Sequence, residues 1–150
     1  MSHSEFELEQ AKWRDLVGGF ILAFGDVEVI THRLWRDHCN GKAPLFKPRV
    51  EALLQALRKL EPRNDAVISC LEAAYRMADK RNTIAHNPMQ AQVFQHGRTG
   101  ELLVEMAISS ATTADYIDDA ELKELRAEAE DLVTRLYMSL GLIENEASNG

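Results

Sequence analysis

Three side chains in one short stretch have types and spacing suited to chemistry. Arg81, Asn82 and His86 lie within Ala-Asp-Lys-Arg-Asn-Thr-Ile-Ala-His-Asn-Pro-Met, from Ala78 to Met89. A guanidinium is a permanent cation with a fork of donors that matches phosphate oxygens. An imidazole titrates near neutrality and can give or take a proton, and a carboxamide both donates and accepts. Together they suit chemistry on a phosphate group. Lys80 and Arg76, just upstream, add positive charge for holding an anionic substrate. The same stretch also makes an ordinary helix ending. A histidine in the last turn complements the helix dipole, Asn87 is a good stop residue, and Arg81 could pair with a surface carboxylate.

These residues must be carried by a helix. Val67, Ile68, Leu71, Ala74, Tyr75 and Ala78 recur at helical spacing from a cap at Asn64 or Asp65 and lead into the motif. Pro88 disfavours helical geometry at Asn87, so the helix should stop near His86. Asn82 and His86, four apart, share one face. Arg81 and His86 are about 140° apart at roughly 100° per residue. An ideal helix therefore cannot aim both at one small group unless the backbone turns, whereas two copies facing each other across a two-fold axis would ease the geometry.

The remaining elements follow from periodicity. Trp13, Leu16, Val17, Phe20, Phe24, Val27, Ile30 and Leu34 form one buried stripe of a long helix from about Ser4 to Cys39. Gly18, Gly19 and Gly25 predict a kink or the close approach of another helix. Asp26 and Glu28 beside that stripe read as a solvated edge, with a pairing to the motif's arginine as the less favoured alternative. Both tryptophans, Trp13 and Trp35, read as core or interface. A second helix, near Pro48, buries Val50, Leu53, Leu54, Leu57 and Leu60 and ends at Pro62. Two short strands, around Val93-Phe94 and Leu102–Met106, flank a turn at 96–100 and decorate the helical body. A last helix from about Asp118 turns Leu122, Leu125, Ala129, Leu132, Leu136 and Leu140 inward. The predicted fold is mainly all-α, an antiparallel bundle of four or five helices with a small β-hairpin after the motif. It forms one domain over residues 1–142, with a disordered tail at 143–150.

Composition narrows the function. The net charge is −7, and the segment from Ala114 onward, with ten acidic and three basic residues, carries all of it. The rest is balanced, with a slight cationic excess around the motif, which allows a local positive patch but excludes a strongly basic nucleic-acid face. The N-terminal residues are acidic and polar, and the longest uncharged apolar run, Leu16 to Gly25, is too short for a bilayer. Two isolated cysteines, Cys39 and Cys70, suggest a reducing cytoplasm. Glu28 and His32 share a face, but no HExxH or paired Cys/His spacing completes a metal site, and no cofactor is expected.

Arg81-Asn82-Thr83-Ile84-Ala85-His86 resembles the Arg-polar-x(3–5)-His signature of HEPN domains (higher eukaryote and prokaryote nucleotide-binding). The long first helix, the motif closing a middle helix, the proline turn and the acidic last helix extend that likeness over most of the chain. The resemblance implies a homodimeric, metal-independent endoribonuclease of toxin or defence type. In it the RNA 2'-hydroxyl attacks the phosphate and leaves a 2',3'-cyclic phosphate. His86 would be general acid or base, Arg81 would hold the scissile phosphate, and Asn82 would bind phosphate or orient His86. Position 88 is proline where some family toxins carry a modified tyrosine, so that form of antitoxin control is not implied. The rival reading is a non-catalytic HEPN-like module for a protein, RNA or nucleotide partner. A third is a structural helical dimer that uses the hairpin as its contact surface.

Overall fold

The computed structural model describes residues 2–110, 112 and 115–143. It is mainly helical, with a small antiparallel sheet: α1 His3–His38, α2 Phe46–Leu57, α3 Asp65–His86, β1 Met89–Gln95, β2 Leu102–Ser109, β3 Tyr116–Ile117 and α4 Asp119–Ser139. Four helices are thus present among the described residues. The tail expected from Ile143 lies, after that residue, outside them.

Local chemistry explains the helix ends. Ser2 and Glu5 form a capping box on α1: the Ser2 hydroxyl accepts from the Glu5 N–H at 3.2 Å and the Glu5 carboxylate from the Ser2 N–H at 2.6 Å. Asn64 caps α3 and Asp118 caps α4 through the backbone N–H groups of Val67 and Glu121. At the far end of α3 the Asn87 backbone and side-chain N–H groups both donate to the Thr83 carbonyl, so the helix stops at His86 as predicted. Helix α2 begins two residues before Pro48, which costs nothing because a first-turn N–H has no partner within the helix. It ends at Leu57, and Leu60, expected inside, is exposed in the turn beyond it.

Helix α1 runs unbroken through its three glycines. A Cβ at Gly19 would collide with the Arg126 guanidinium on α4, so the close approach foreseen from sequence occurs there, while Gly18 and Gly25 face open space. Contacts fix the helix directions. Arg58–Glu72 and Lys47–Asp79 make α2 and α3 antiparallel, and Lys80–Glu121 with Asn64–Ser139 does the same for α3 and α4. Lys12–Asp119 and Asp15–Arg126, by contrast, advance together along α1 and α4. These two helices are parallel, so the expected fully antiparallel bundle is corrected on this pair. Their chain ends are linked through a long path, which does not impose the hairpin-like reversal of a short loop.

The core gathers Trp13, Phe20, Phe24 and Val27 of α1, Leu53 of α2, Leu71 of α3 and Leu122, Leu132 and Leu136 of α4. Tyr75, expected inside, is only partly buried, and its hydroxyl donates to Glu51 at 2.6 Å. Trp35 sits at the margin and donates to the Gly41 carbonyl. Strands β1 and β2 pair from Met89–Ile108 to Gln95–Leu102, and β3 adds a two-residue ladder to the root of β2. This third strand was missed because Tyr116-Ile117 is too short to show a period, although Ile117 is fully buried. Met106, Ala107 and Ile108 root the sheet in the body, whereas Val93, Phe94, Leu102 and Leu103 are exposed on its distal half. Among the described residues, no helix is long and apolar enough to cross a membrane.

Two predictions follow from these elements. Gly18→Ala and Gly25→Ala should each stabilise the fold by about 0.5–1 kcal/mol, read as a rise in melting temperature. Gly19→Ala should fall short of that gain, because Arg126 must leave its place between Asp15 and Glu130. The second concerns acid. Burial pushes the Asp119 carboxyl upward, but hydrogen bonds from Lys123 and Lys12 outweigh it and leave its pKa below the ordinary value. Its contribution to stability is therefore whole above the unfolded pKa of about 3.9 and is lost as the pH falls through the lower folded value. Urea midpoints measured from pH 6 downward should fall less steeply in Asp119→Asn than in wild type.

Candidate functional site

The C-terminal turns of α3 form one wall of a cavity of about 490 Å³, with α1 and the start of α2 supplying the others. Ala78 lies at the centre of the α3 wall. Counting about 100° per residue, Arg81 falls roughly 60° to one side of Ala78 and His86 roughly 80° to the other. Both border the cavity with Asn82, without a backbone turn before His86. The wide angle that argued against a single contact thus becomes the span of one cavity. Asn82 and His86 also border a second cavity of about 510 Å³, lined by Asp79, Thr83, Asn87, Ser110, Thr112 and Asp115. They form a ridge between a side that holds Arg81 and Lys47 and a polar side that holds the carboxylates of Asp79 and Asp115.

Arg81 is held at both ends of its fork. Nη2 meets Glu28 Oε1 at 3.1 Å, and Nη1 donates to Asn82 Oδ1 at 3.1 Å. Glu28 thus faces the motif's arginine, so the solvated edge favoured from sequence is corrected to the alternative set beside it: the carboxylate is about 29% exposed and borders the cavity. His86 is exposed, and among the described residues it has no hydrogen bond or ion pair. Asn82 is likewise exposed.

Lys80 and Arg76 lie elsewhere. Each is two residues from Ala78 and so about 200° round the helix from the cavity wall. Lys80 pairs with Glu121 of α4 at 2.8 Å, Arg76 is exposed, and neither borders a cavity near the motif. The lysine at the cavity is Lys47, which the sequence reading passed over. It donates to Asp79 at 2.9 Å, which raises its pKa, and lies over the Tyr75 ring. Helix α2 also opens onto the cavity through Leu45, Phe46, Lys47 and Pro48, with no side chain capping its first turn. Such an uncapped N-terminus presents backbone donors and a partial positive charge to an anion.

Arg49 stands behind this wall and was also missed. Only 4% exposed, it donates from Nε to the Thr31 hydroxyl at 3.0 Å and from Nη1 to the Pro44 carbonyl at 2.8 Å, with Phe46 packed on its guanidinium. Burial lowers its pKa, and the negative charge of Glu28 opposes that shift. No periodicity marks a buried arginine; a Thr-to-Arg contact between neighbouring helices is visible only once they are packed. The arrangement therefore sets one carboxylate, Glu28, among the guanidinium groups of Arg49 and Arg81, with Lys47 and a bare helix end nearby. An anion entering there would have to compete with Glu28 for Arg81, and His86 borders the same cavity.

In comparisons with known proteins, the chain matches no family model, no curated protein and no solved structure.

The two arginines should respond differently to removal. Arg49→Met leaves the Thr31 hydroxyl and Pro44 carbonyl without their donor in a buried setting and should cost about 1–3 kcal/mol of stability in urea unfolding. Arg81→Ala breaks a partly exposed pair and should cost less than about 1 kcal/mol.

Proposed function

We propose that the chain is a HEPN-like helical protein whose α1–α2–α3 cavity binds an RNA phosphodiester and cleaves it without a metal. The observation that carries this reading is the placement of Arg81 and His86 on opposite flanks of one cavity, facing Lys47 and the uncapped start of α2. The motif's likeness to the HEPN signature supports it.

The phosphate displaces the Glu28 carboxylate from Arg81 and lies between the Arg81 guanidinium and the α2 backbone donors. These groups neutralise charge that grows on the non-bridging oxygens as the phosphorus becomes five-coordinate. The ribose 2'-oxygen forms its bond to phosphorus as a base removes its proton, and the bond to the 5'-oxygen breaks as an acid supplies one. The products are a 2',3'-cyclic phosphate and a free 5'-hydroxyl. His86 performs one of these transfers. In a homodimer the second copy's imidazole performs the other, so each copy completes its partner. The polar cavity across the Asn82–His86 ridge offers hydrogen-bonding groups to the adjoining base or ribose. The toxin or defence role and any antitoxin partner come with the family likeness. The two unpaired cysteines fit a cytoplasmic setting.

One observation favours the rival, a non-catalytic HEPN-like module binding a protein, RNA or nucleotide: Arg81 is already engaged within its own chain by Glu28. Incubation with mixed RNA in EDTA separates the two. The nuclease reading expects wild type to yield fragments ending in 2',3'-cyclic phosphate, with His86→Ala and Arg81→Ala at least about 100-fold slower. Equal survival of RNA with wild type and His86→Ala sinks that reading. Retention of a labelled RNA oligonucleotide by both proteins would then identify a binding module.

A further inference from the structure

A second region of interest, a cleft away from the motif, lies between the N-terminal part of α1, strand β2 and the start of α4. It measures about 800 Å³. Its position follows from the sheet. Strand β3 pairs only with Ile108 and Ser109 of β2, and the chain then leaves the sheet at Asp118 to begin α4. Among the described residues, no strand covers β2 between Leu102 and Ala107 on the side away from β1. The cleft lies along that uncovered stretch, with Val104, Glu105 and Met106 as its sheet wall. An open edge presents a row of unpaired backbone donors and acceptors, the template on which extended peptides add as a further strand.

The walls define the chemistry of such a strand. Glu5, Glu9, Glu105, Asp118 and Asp119 line the cleft against one cation, Lys12. Lys12 is itself engaged by Asp119 at 3.0 Å and Glu9 at 3.7 Å, Lys123 pairs with Asp119 at 2.9 Å, Glu105 accepts from the Tyr116 hydroxyl at 3.4 Å, and Asp118 and Glu5 are used in capping α4 and α1. The cleft therefore keeps an excess of negative charge after its internal pairs are made. Leu8, 72% exposed, and Val104 place apolar surface beside it. Independently of charge, Trp13 forms part of the wall, is almost completely buried, and has an indole N–H without an acceptor among the described residues. A buried donor with no acceptor is rare in a finished structure, and it marks this wall as the place where an acceptor is missing.

We propose that this cleft receives an extended, basic segment of a partner protein, added as a strand along β2 between Leu102 and Ala107. Basic side chains of the segment meet the carboxylates, and apolar ones meet Leu8 and Val104. The chain's own strands cannot supply this segment, since β1, β2 and β3 contain no lysine or arginine. RNA is repelled by the same carboxylates that attract the basic strand, so this surface is separate from the motif cavity and does not rest on the nuclease reading.

The test uses the full chain and three fluorescein-labelled peptides: alternating Lys-Val, the same peptide N-methylated on alternate backbone amides, and alternating Glu-Val. Fluorescence polarisation at low salt should show binding of Lys-Val, with N-methylation on the edge-facing amides weakening it by about tenfold or more. The double variant Glu9→Lys/Glu105→Lys, with its helicity checked by circular dichroism, should weaken it by a similar factor, and Arg81→Ala should leave it unchanged. Hydrogen exchange on wild type should slow at residues 102–107 when Lys-Val is present. Absence of Lys-Val binding, equal binding of Glu-Val, indifference to N-methylation, or unchanged exchange at 102–107 would each overturn the proposal.

Discussion

The arrangement around the motif depends on a buried guanidinium. Taking Arg49 out of water carries a desolvation cost of several kcal/mol unless its donors are used and its charge is opposed. The structure meets that requirement with the Thr31 hydroxyl, the Pro44 carbonyl, the Phe46 ring and the charge of Glu28. The four partners lie on three pieces of chain: Thr31 and Glu28 on α1, Pro44 on the connection, Phe46 on the first turn of α2. Satisfying one arginine therefore fixes where the connection returns along α1 and where α2 begins. It also sets the bare N-terminus of α2 against the motif.

Glu28 couples this scaffold to the chemistry. Its carboxylate serves two cations, one buried and permanently needed, the other partly exposed and exchangeable. The Arg81–Glu28 contact is worth little in stability at that exposure, so its effect is on position: it holds the guanidinium over the cavity before any ligand arrives. A phosphodiester carries the same single charge and the same two free oxygens as the Glu28 carboxylate, so in the proposed reaction it would take Arg81 from Glu28 only with the added help of Lys47 and the α2 backbone donors, leaving Glu28 to Arg49. The same ion pair is thus compatible with a primed anion site and with an occupied, non-catalytic one. Reaction products, more than further geometry, distinguish them.

Much of the helical frame was legible in the residues. The stripe from Trp13 to Leu34, the cap at Asn64, the stop before Pro88 and the inward leucines of α4 each follow from a local rule, and local rules survive packing. What escaped was non-local. The parallel run of α1 and α4 depends on the path between them, and β3 is two residues long. The burial of Arg49 and the use of Lys47 need packed helices before they exist, and the pairing of Glu28 with Arg81, visible in the residues only as the lesser alternative, is decided there too. At the motif, the helical angle between Arg81 and His86 was read correctly. It was converted into a need for a second copy because the cavity that spans that angle, built partly by α2, could not be seen. The proposed two-fold assembly rests on the demand for two proton transfers.

Charge is divided along the molecule in a way the net value of −7 conceals. Trp13 borders the acidic cleft and Phe24 borders the motif cavity, so about 16 Å of α1 separates them at 1.5 Å per residue. That distance exceeds the Debye length of roughly 8 Å at physiological ionic strength, and the two fields act almost independently. Under the two proposals, a polyanion would bind at one end and a basic strand at the other, and neither would need to leave for the second to bind. Lys80, drawn to Glu121 on α4, takes part in this separation: it carries a positive charge from the motif helix toward the acidic last helix. The cations that remain at the cavity, Arg81 and Lys47, are held by single carboxylates that an incoming phosphate can replace.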